Sequence, residues 1–205
     1  MSNFIGIKRG RGNGRNNRGV ITVRNRGGGS RRKIRDVKTS YCNGEAGIIR
    51  LVGFEYDANR TGEIGIIREG DKDRLVIIGK NMRVGGLYKS IRDEDSRVGE
   101  VGKEGDEIEV GMLNVGRMVY NIDGKYSRSG GSYGVLIGKG ERCRVRLSSK
   151  EEIELDCKTR VRIGSVGIGK KVERRRRMVV NLAGRSRWLG RRPRVRKIAK
   201  NAVDR

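Results

Sequence analysis

An all-β chain, built as two small barrels with basic extended arms at either end, is the fold class this sequence predicts. Three observations predict it. Short branched-aliphatic or strictly alternating segments recur from residue 46 to 163, split by turn residues every 8–12 positions. Thirty-three glycines in 205 residues supply many tight turns. The positive charge sits at the two ends and not in the middle: residues 1–40 carry a net +11, residues 158–205 a net +16, and residues 41–157 a net −2.

In chain order, residues 1–19 form a basic N-terminal arm, MSNFIGIKRGRGNGRNNRG. It has no hydrophobic stretch of the kind a secretory signal needs. It is Arg-rich and acid-poor like a transit peptide, yet its Gly and Asn content spoils an amphipathic helix. The first barrel is expected over 20–92. Its strands are Ile48-Ile49-Arg50-Leu51-Val52, Ile64-Gly65-Ile66-Ile67 and Leu75-Val76-Ile77-Ile78, with turns at Asp57-Ala58-Asn59 and Glu69-Gly70-Asp71. A polar, Gly-punctuated seam over 93–107 reads as a linker. The second barrel, 108–167, contains two strictly alternating strands, Cys143-Arg-Val145-Arg-Leu147 and Ile153-Glu-Leu155-Asp-Cys157. Each puts apolar side chains on one face and charges on the other, with Ser148-Ser149-Lys150 as the hairpin loop. Val161-Arg162-Ile163 continues that pattern. Residues 168–205 form a basic C-terminal extension, with a short helix expected over 171–182 and extended chain beyond it, because Pro193 and its neighbours block a longer helix.

Net charge +25 and a pI near 10.9 point to a polyanionic partner. No run of about 18 apolar residues exists, so no membrane span is expected. The three cysteines, Cys42, Cys143 and Cys157, form no CxxC pair, and the chain has no histidine, so no zinc site can be assembled by spacing. They read as buried or half-buried thiols in a reducing compartment. The absence of histidine also removes the commonest general base, and no nucleophile–base pair can be built, so no enzyme is inferred. Gly164-Ser-Val-Gly-Ile-Gly169-Lys170 fits the start of a phosphate-binding loop. Lys171 stands where a magnesium-binding Ser or Thr is required, and the stretch reads instead as a Gly-rich exit from the barrel.

The nature of the polyanion follows from two counts. Nine aromatic residues are too few for a reader of single strands, which needs stacking platforms. Arginine outnumbers lysine 9 to 3 in the first forty residues and 13 to 5 from 158 onward. Its planar fork suits bidentate phosphate contacts. Folded, mostly helical RNA, read through shape and phosphate geometry, is the expected partner. Gly27-Gly28-Gly29, between Arg24 and Arg26 on one side and Arg31, Arg32 and Lys33 on the other, lets backbone approach a sugar-phosphate chain while the cations neutralise it. The stretch GRSRWLGRRPRVR, 184–196, holds six arginines and the chain's single Trp and single Pro. Trp188 reads equally as a pack of the arm onto the barrel or as a stack on a nucleobase. The expected RNA contacts are Arg15, Arg18, Arg24, Arg26, Gly27, Gly28, Gly29, Arg31, Arg32, Lys33, Arg60, Arg128, Lys170, Lys171, Arg185, Arg187, Trp188, Arg191, Arg192, Arg194 and Arg196. A free RNA chaperone or translational regulator built on small barrels shares this charge pattern and is the alternative.

Ordered motifs add a resemblance. Gly14–Ser30, GRNNRGVITVRNRGGGS, resembles the GRNNxGRITxRHxGGGH of the universal large-subunit ribosomal protein two family. Phe54–Arg60 resembles its EYDPNR, Val115–Ile122 its VGTxVHNI, Gly184–Arg196 its KAGRSRWLGRRPTVRG, and Asn201–Asp204 its NPVD. The resemblance spans about 14–204. It implies an OB-like RNA-binding barrel followed by an SH3-like barrel, with extensions threaded into large-subunit rRNA. It also implies roles in subunit assembly, in association with the small subunit across an intersubunit bridge, and in support of the peptidyl-transferase region, beside neighbouring ribosomal proteins. No cofactor is implied beyond magnesium ions held by the rRNA itself. Asn25, Ser30 and Tyr120 stand where the family has histidines, the loop after Ile122 is shortened, and the sequence stops at Arg205 where the family continues with HPHGGGEG. That tip is expected to be absent or supplied by a separate polypeptide. Together with a single proline, these departures suggest a divergent organellar version, in the mitochondrial matrix rather than a plastid or the bacterial cytoplasm.

Overall fold

The computed structural model describes residues 5–6, 12–32, 34–42, 46–70, 72–92, 102–169 and 182–195. The chain divides into two compact units. One comprises Arg35–Arg177 with Met1–Gly6; the other comprises Ile7–Ile34 with Met178–Arg205. The expected helix over 171–182 and the expected contacts Lys33, Lys170, Lys171 and Arg196 lie outside the described residues, apart from the helix's last position, Leu182. No helix among the described residues is long and apolar enough to cross a membrane.

Among its described residues the larger unit is built of β-strands, with one 3-10 turn at Val110–Met112. Strands β1 (Ile5–Gly6) and β2 (Ile34–Arg35) are two residues long. The other ten share one sheet: β3 (Gly47–Glu55), β4 (Ile64–Glu69), β5 (Lys72–Ile77), β6 (Leu87–Ser90), β7 (Glu107–Glu109), β8 (Met118–Tyr120), β9 (Gly134–Gly138), β10 (Arg142–Leu147), β11 (Glu152–Asp156) and β12 (Arg160–Ile163). Their order is β11-β10-β9-β8-β12-β7-β6-β3-β4-β5. β3 to β6 fall in the span expected for the first barrel, and β7 to β12 run from the end of the expected linker through the second.

Alternation explains most of this. On β3, Ile49 and Leu51 point inward while Ile48, Arg50 and Val52 point out, and a bulge between Leu51 and Gly53 bends the strand. β10 and β11 pair from Arg142↔Asp156 to Arg146↔Glu152 and bury Cys143 and Val145. Their hairpin closes through the Leu147 N–H, which donates to the Glu151 carbonyl at 2.8 Å, with Lys150 in the left-handed region at φ 72°. The first barrel's core gathers Tyr41, Cys42, Ile49, Leu51, Ile67, Val76, Ile78, Met82 and Tyr88. The second gathers Ile108, Val110, Leu113, Val119, Ile122, Leu136, Cys143, Val145, Val161 and Ile163.

A third cluster, Ile64, Leu75, Ile77, Tyr120 and Val166, draws on both barrels and fills the seam between them. The sheet itself crosses the seam through one parallel pair, Ser90↔Glu107. The Gly-rich run after β12 is more than an exit from the barrel: it turns back across the first barrel, where Val166 bridges Gly79 and Ile168 bridges Gly62.

Arg162 departs from the sequence pattern. Alternation puts it on the outer, charged face of β12, yet its exposure is 0%. The reason is that the first barrel covers that face. The Arg162 guanidinium donates to the Glu107 carboxylate at 3.1 Å and to the carbonyls of Ile77 and Thr39, each at 2.7 Å, and lies 3.9 Å from the centre of the Tyr41 ring. Burial opposes its charge, but Tyr41 and the Glu107 carboxylate outweigh that and hold it protonated. Glu107 also accepts the Tyr41 N–H at 3.1 Å. A buried charge satisfied this fully ties the two barrels together.

Candidate nucleic-acid interface

The smaller unit is assembled from the two basic ends of the chain. Its first piece is a tight hairpin in which Arg15 and Ile21 bridge, and the Asn16 side-chain oxygen accepts the N–H groups of Arg18 and Val20 at 3.0 Å each. Arg15 donates back to the Gly19 carbonyl at 2.9 Å, and Arg18 is exposed at the tip. Gly14, at φ 78°, has no room for a side chain, because a Cβ there would collide with the Val23 carbonyl oxygen.

The second piece is a clasp between residues 25–30 and 188–193. Gly27 N–H donates to the Gly190 carbonyl at 3.0 Å, Ser30 N–H to Trp188 at 2.9 Å, and Arg192 N–H to Asn25 at 2.9 Å. The Asn25 side-chain amide donates to the Pro193 carbonyl, and Arg26 and Arg191 form an antiparallel bridge. Gly27, Gly28 and Gly29 have φ of 142°, 65° and 84°, a run that L side chains resist. The Arg192 guanidinium lies 3.4 Å from where a Cβ on Gly27 would stand, an ordinary contact, so the backbone φ and not lack of space favours glycine there.

One correction concerns the stretch after 182, expected to be extended. Residues Arg185–Trp188 form one helical turn, α1. Gly184, left-handed at φ 81°, opens it and accepts the Trp188 N–H at 3.0 Å; Gly190, at φ 82°, follows it. A turn bounded by two such glycines gives no periodic signal. Beyond it Arg191 sits in the bridge to Arg26, and 192–195 carry no regular structure.

Two concave surfaces flank the clasp. One, of about 430 Å³, is lined by Arg24, Asn25, Arg26, Arg191, Arg192 and Arg194, five arginines and no carboxylate. The other, of about 420 Å³, is lined by Gly27, Gly28, Gly29, Arg187, Arg192, Pro193 and Val195. Arg31 and Arg32 continue along the first segment, and Arg185 begins α1. The Trp188 ring lies about 3.8 Å from the Gly184 Cβ position and remains 54% exposed. The Gly27–Gly29 loop and the Arg185–Arg194 stretch, identified separately in the sequence, are therefore one surface.

Arg60 and Arg128 belong to the larger unit. Asp57, its side chain only 1% exposed, accepts Arg60 Nε at 2.8 Å and the Asn59 N–H at 2.8 Å, fixing the turn after β3. Arg128 donates to the Gly124 carbonyl at 2.8 Å, and the neighbouring Gly130 N–H reaches Thr61 Oγ1 at 3.1 Å. Burial first, then the nearby Arg60 and Arg162 charges, lowers the Arg128 pKa. Among the described residues, no group of three or more His, Cys, Asp or Glu side chains could hold a metal.

Sequence reasoning passed over Glu107, Tyr41 and Arg162, which hold the two barrels in register. Only the resemblance around Tyr120-Asn121-Ile122 pointed near them. Residues 1–90 match the family model described as Ribosomal Proteins L2, RNA binding N-terminal domain, and residues 103–205 match that described as Ribosomal Proteins L2, C-terminal domain. Two matches in the expected order cover almost the whole chain, so this protein belongs to the ribosomal protein L2 family.

Proposed function

We propose that this chain is a structural constituent of the large ribosomal subunit that grips folded rRNA through its clasped arms. In this reading it supports subunit assembly, association with the small subunit and the peptidyl-transferase region. One observation carries the RNA reading: chain segments about 160 residues apart meet to form a surface lined by five arginines and no carboxylate. Such a surface is poorly matched to anything but a dense array of phosphates. Arg60 and Arg128 supply a second contact region, and the exposed Trp188 face offers a stack for an unpaired base. Neighbouring ribosomal proteins complete its surroundings. The absence of histidine and the single proline suggest a divergent organellar version, which this reading places in a mitochondrial ribosome.

The test is the salt dependence of binding to a large-subunit rRNA transcript. Each phosphate contact contributes roughly 0.7–0.9 to the slope of log K against log salt. Arg191→Ala with Arg192→Ala therefore lowers that slope by about 1–2 and weakens binding across sequences. An unchanged slope removes the clasp from the RNA interface. Sedimentation separates the subunit reading from that of a free RNA chaperone: most copies co-migrate with the large subunit, and a majority outside ribosomal particles overturns the proposal.

A further inference from the structure

The second barrel holds a pair of thiols that RNA binding does not use. Cys143, the second residue of β10, pairs with Leu155 of β11; Cys157 lies two residues beyond Leu155, just past the strand's end. Two-residue spacing puts Leu155 and Cys157 on the same face, and the two sulfurs are 3.4 Å apart. A disulfide needs about 2.05 Å, so bond formation has to bring the two sulfurs about 1.3 Å closer. The backbone around Cys157 is already held. Its carbonyl accepts the Gly111 N–H at 2.9 Å, and the Thr159 N–H closes the turn onto Asp156 at 2.8 Å.

We propose that Cys143 and Cys157 form an oxidisable dithiol, a modification site at which a peroxide converts two neighbouring thiols into a disulfide between β10 and the turn leading into β12.

Exposure assigns the order of events. Cys157 is partly exposed, with its sulfur beside the carbonyls of Gly140 and Glu141, whereas Cys143 is fully buried. The Cys143 thiol is pushed up to about 11, by burial first and then by Cys157. The Cys157 thiol therefore gives up its proton, and its sulfur attacks a peroxide oxygen. The O–O bond breaks, hydroxide leaves and takes up that proton as water, and Cys157 becomes a sulfenic acid. Cys143 then gives up its proton, its sulfur attacks the Cys157 sulfur, and the S–O bond breaks, releasing a second water. Two thiols and one peroxide yield one disulfide and two waters. Cys42 provides an internal control. It is 1% exposed in the first barrel's core, and burial, followed by Glu69, pushes its thiol up to about 12.

The full-length protein is exposed to hydrogen peroxide, denatured in iodoacetamide, digested and read by mass spectrometry. The expected product is one cross-linked peptide joining Cys143 to Cys157, lighter by two hydrogens, with Cys42 alkylated. Cys143→Ser leaves Cys157 as a sulfenic acid that dimedone traps. Cys157→Ser, a change at a partly exposed position, leaves Cys143 a free thiol under exposures that close the wild type. Wild-type Cys157 oxidised with Cys143 still alkylated overturns the proposal, as do disulfides joining two chains or three unreacted thiols.

Discussion

Replacing Glu107 by alanine strands the Arg162 guanidinium in a site with 0% exposure, facing two carbonyls and a tyrosine ring but no countercharge. It also removes the acceptor of the Tyr41 N–H. Breaking a buried pair by deleting one partner costs about 3–5 kcal/mol, and a lost acceptor for a buried N–H about 1–3 kcal/mol. The two losses share a site and overlap, so roughly 4 kcal/mol is expected, a large part of the 5–15 kcal/mol typical of a whole domain. For a unit of this size that lowers Tm by about 8–16 °C. Urea and thermal unfolding followed by far-ultraviolet circular dichroism read the larger unit through its β signal. A double variant, Glu107→Met with Arg162→Leu, removes both charges and recovers most of the loss, because an apolar pair of similar bulk suits a dry seam. A loss below about 1 kcal/mol for Glu107→Ala refutes the claim that this pair holds the barrels together, and no recovery in the double variant refutes the attribution of the loss to a stranded charge.

Stability also falls in alkali. Burial pushes Tyr120 up to about 12 from an ordinary 10, and Cys42 up to about 12 from an ordinary 9. Both groups stay protonated in the folded chain while the unfolded chain loses those protons, so the stability they contribute is complete below pH 9 and drains away between pH 9 and 12. Tyr120 alone contributes about 2–3 kcal/mol to this loss, measurable as a falling urea midpoint across that range. At the second contact region, Arg60→Ala lowers the salt slope of rRNA binding by roughly 1. Asp57→Asn keeps the arginine but loosens its anchor, and weakens binding a few-fold with the slope unchanged; fluorescence anisotropy over a salt series distinguishes the two.

The amphipathic strands were legible because alternation is a local property. Cys143, Val145, Leu155 and their charged neighbours declare their faces without reference to anything distant. Arg162 obeys the same alternation and was misread, since a period of two states which face a residue occupies but not whether a second barrel covers that face. The clasp was half legible. The glycine run and the Arg-rich stretch each stood out through composition, as expected phosphate contacts. Their pairing rests on backbone hydrogen bonds such as Gly27 to Gly190, which no side-chain pattern encodes. The turn at Arg185–Trp188 was hidden for a related reason: four residues between two left-handed glycines are too short for a helical period.

The clasp also imposes a schedule on biosynthesis. The Asn25–Ser30 segment leaves the translating ribosome long before its partner at 188–193 exists, and at 5–20 residues per second that interval is on the order of ten to thirty seconds. During it both barrels can mature, while the glycine run has no strand to hold it and its arginines are open to any passing anion. The smaller unit is thus the last part of the molecule to acquire its shape, and a released chain ending near residue 180 would carry both barrels without the clasp.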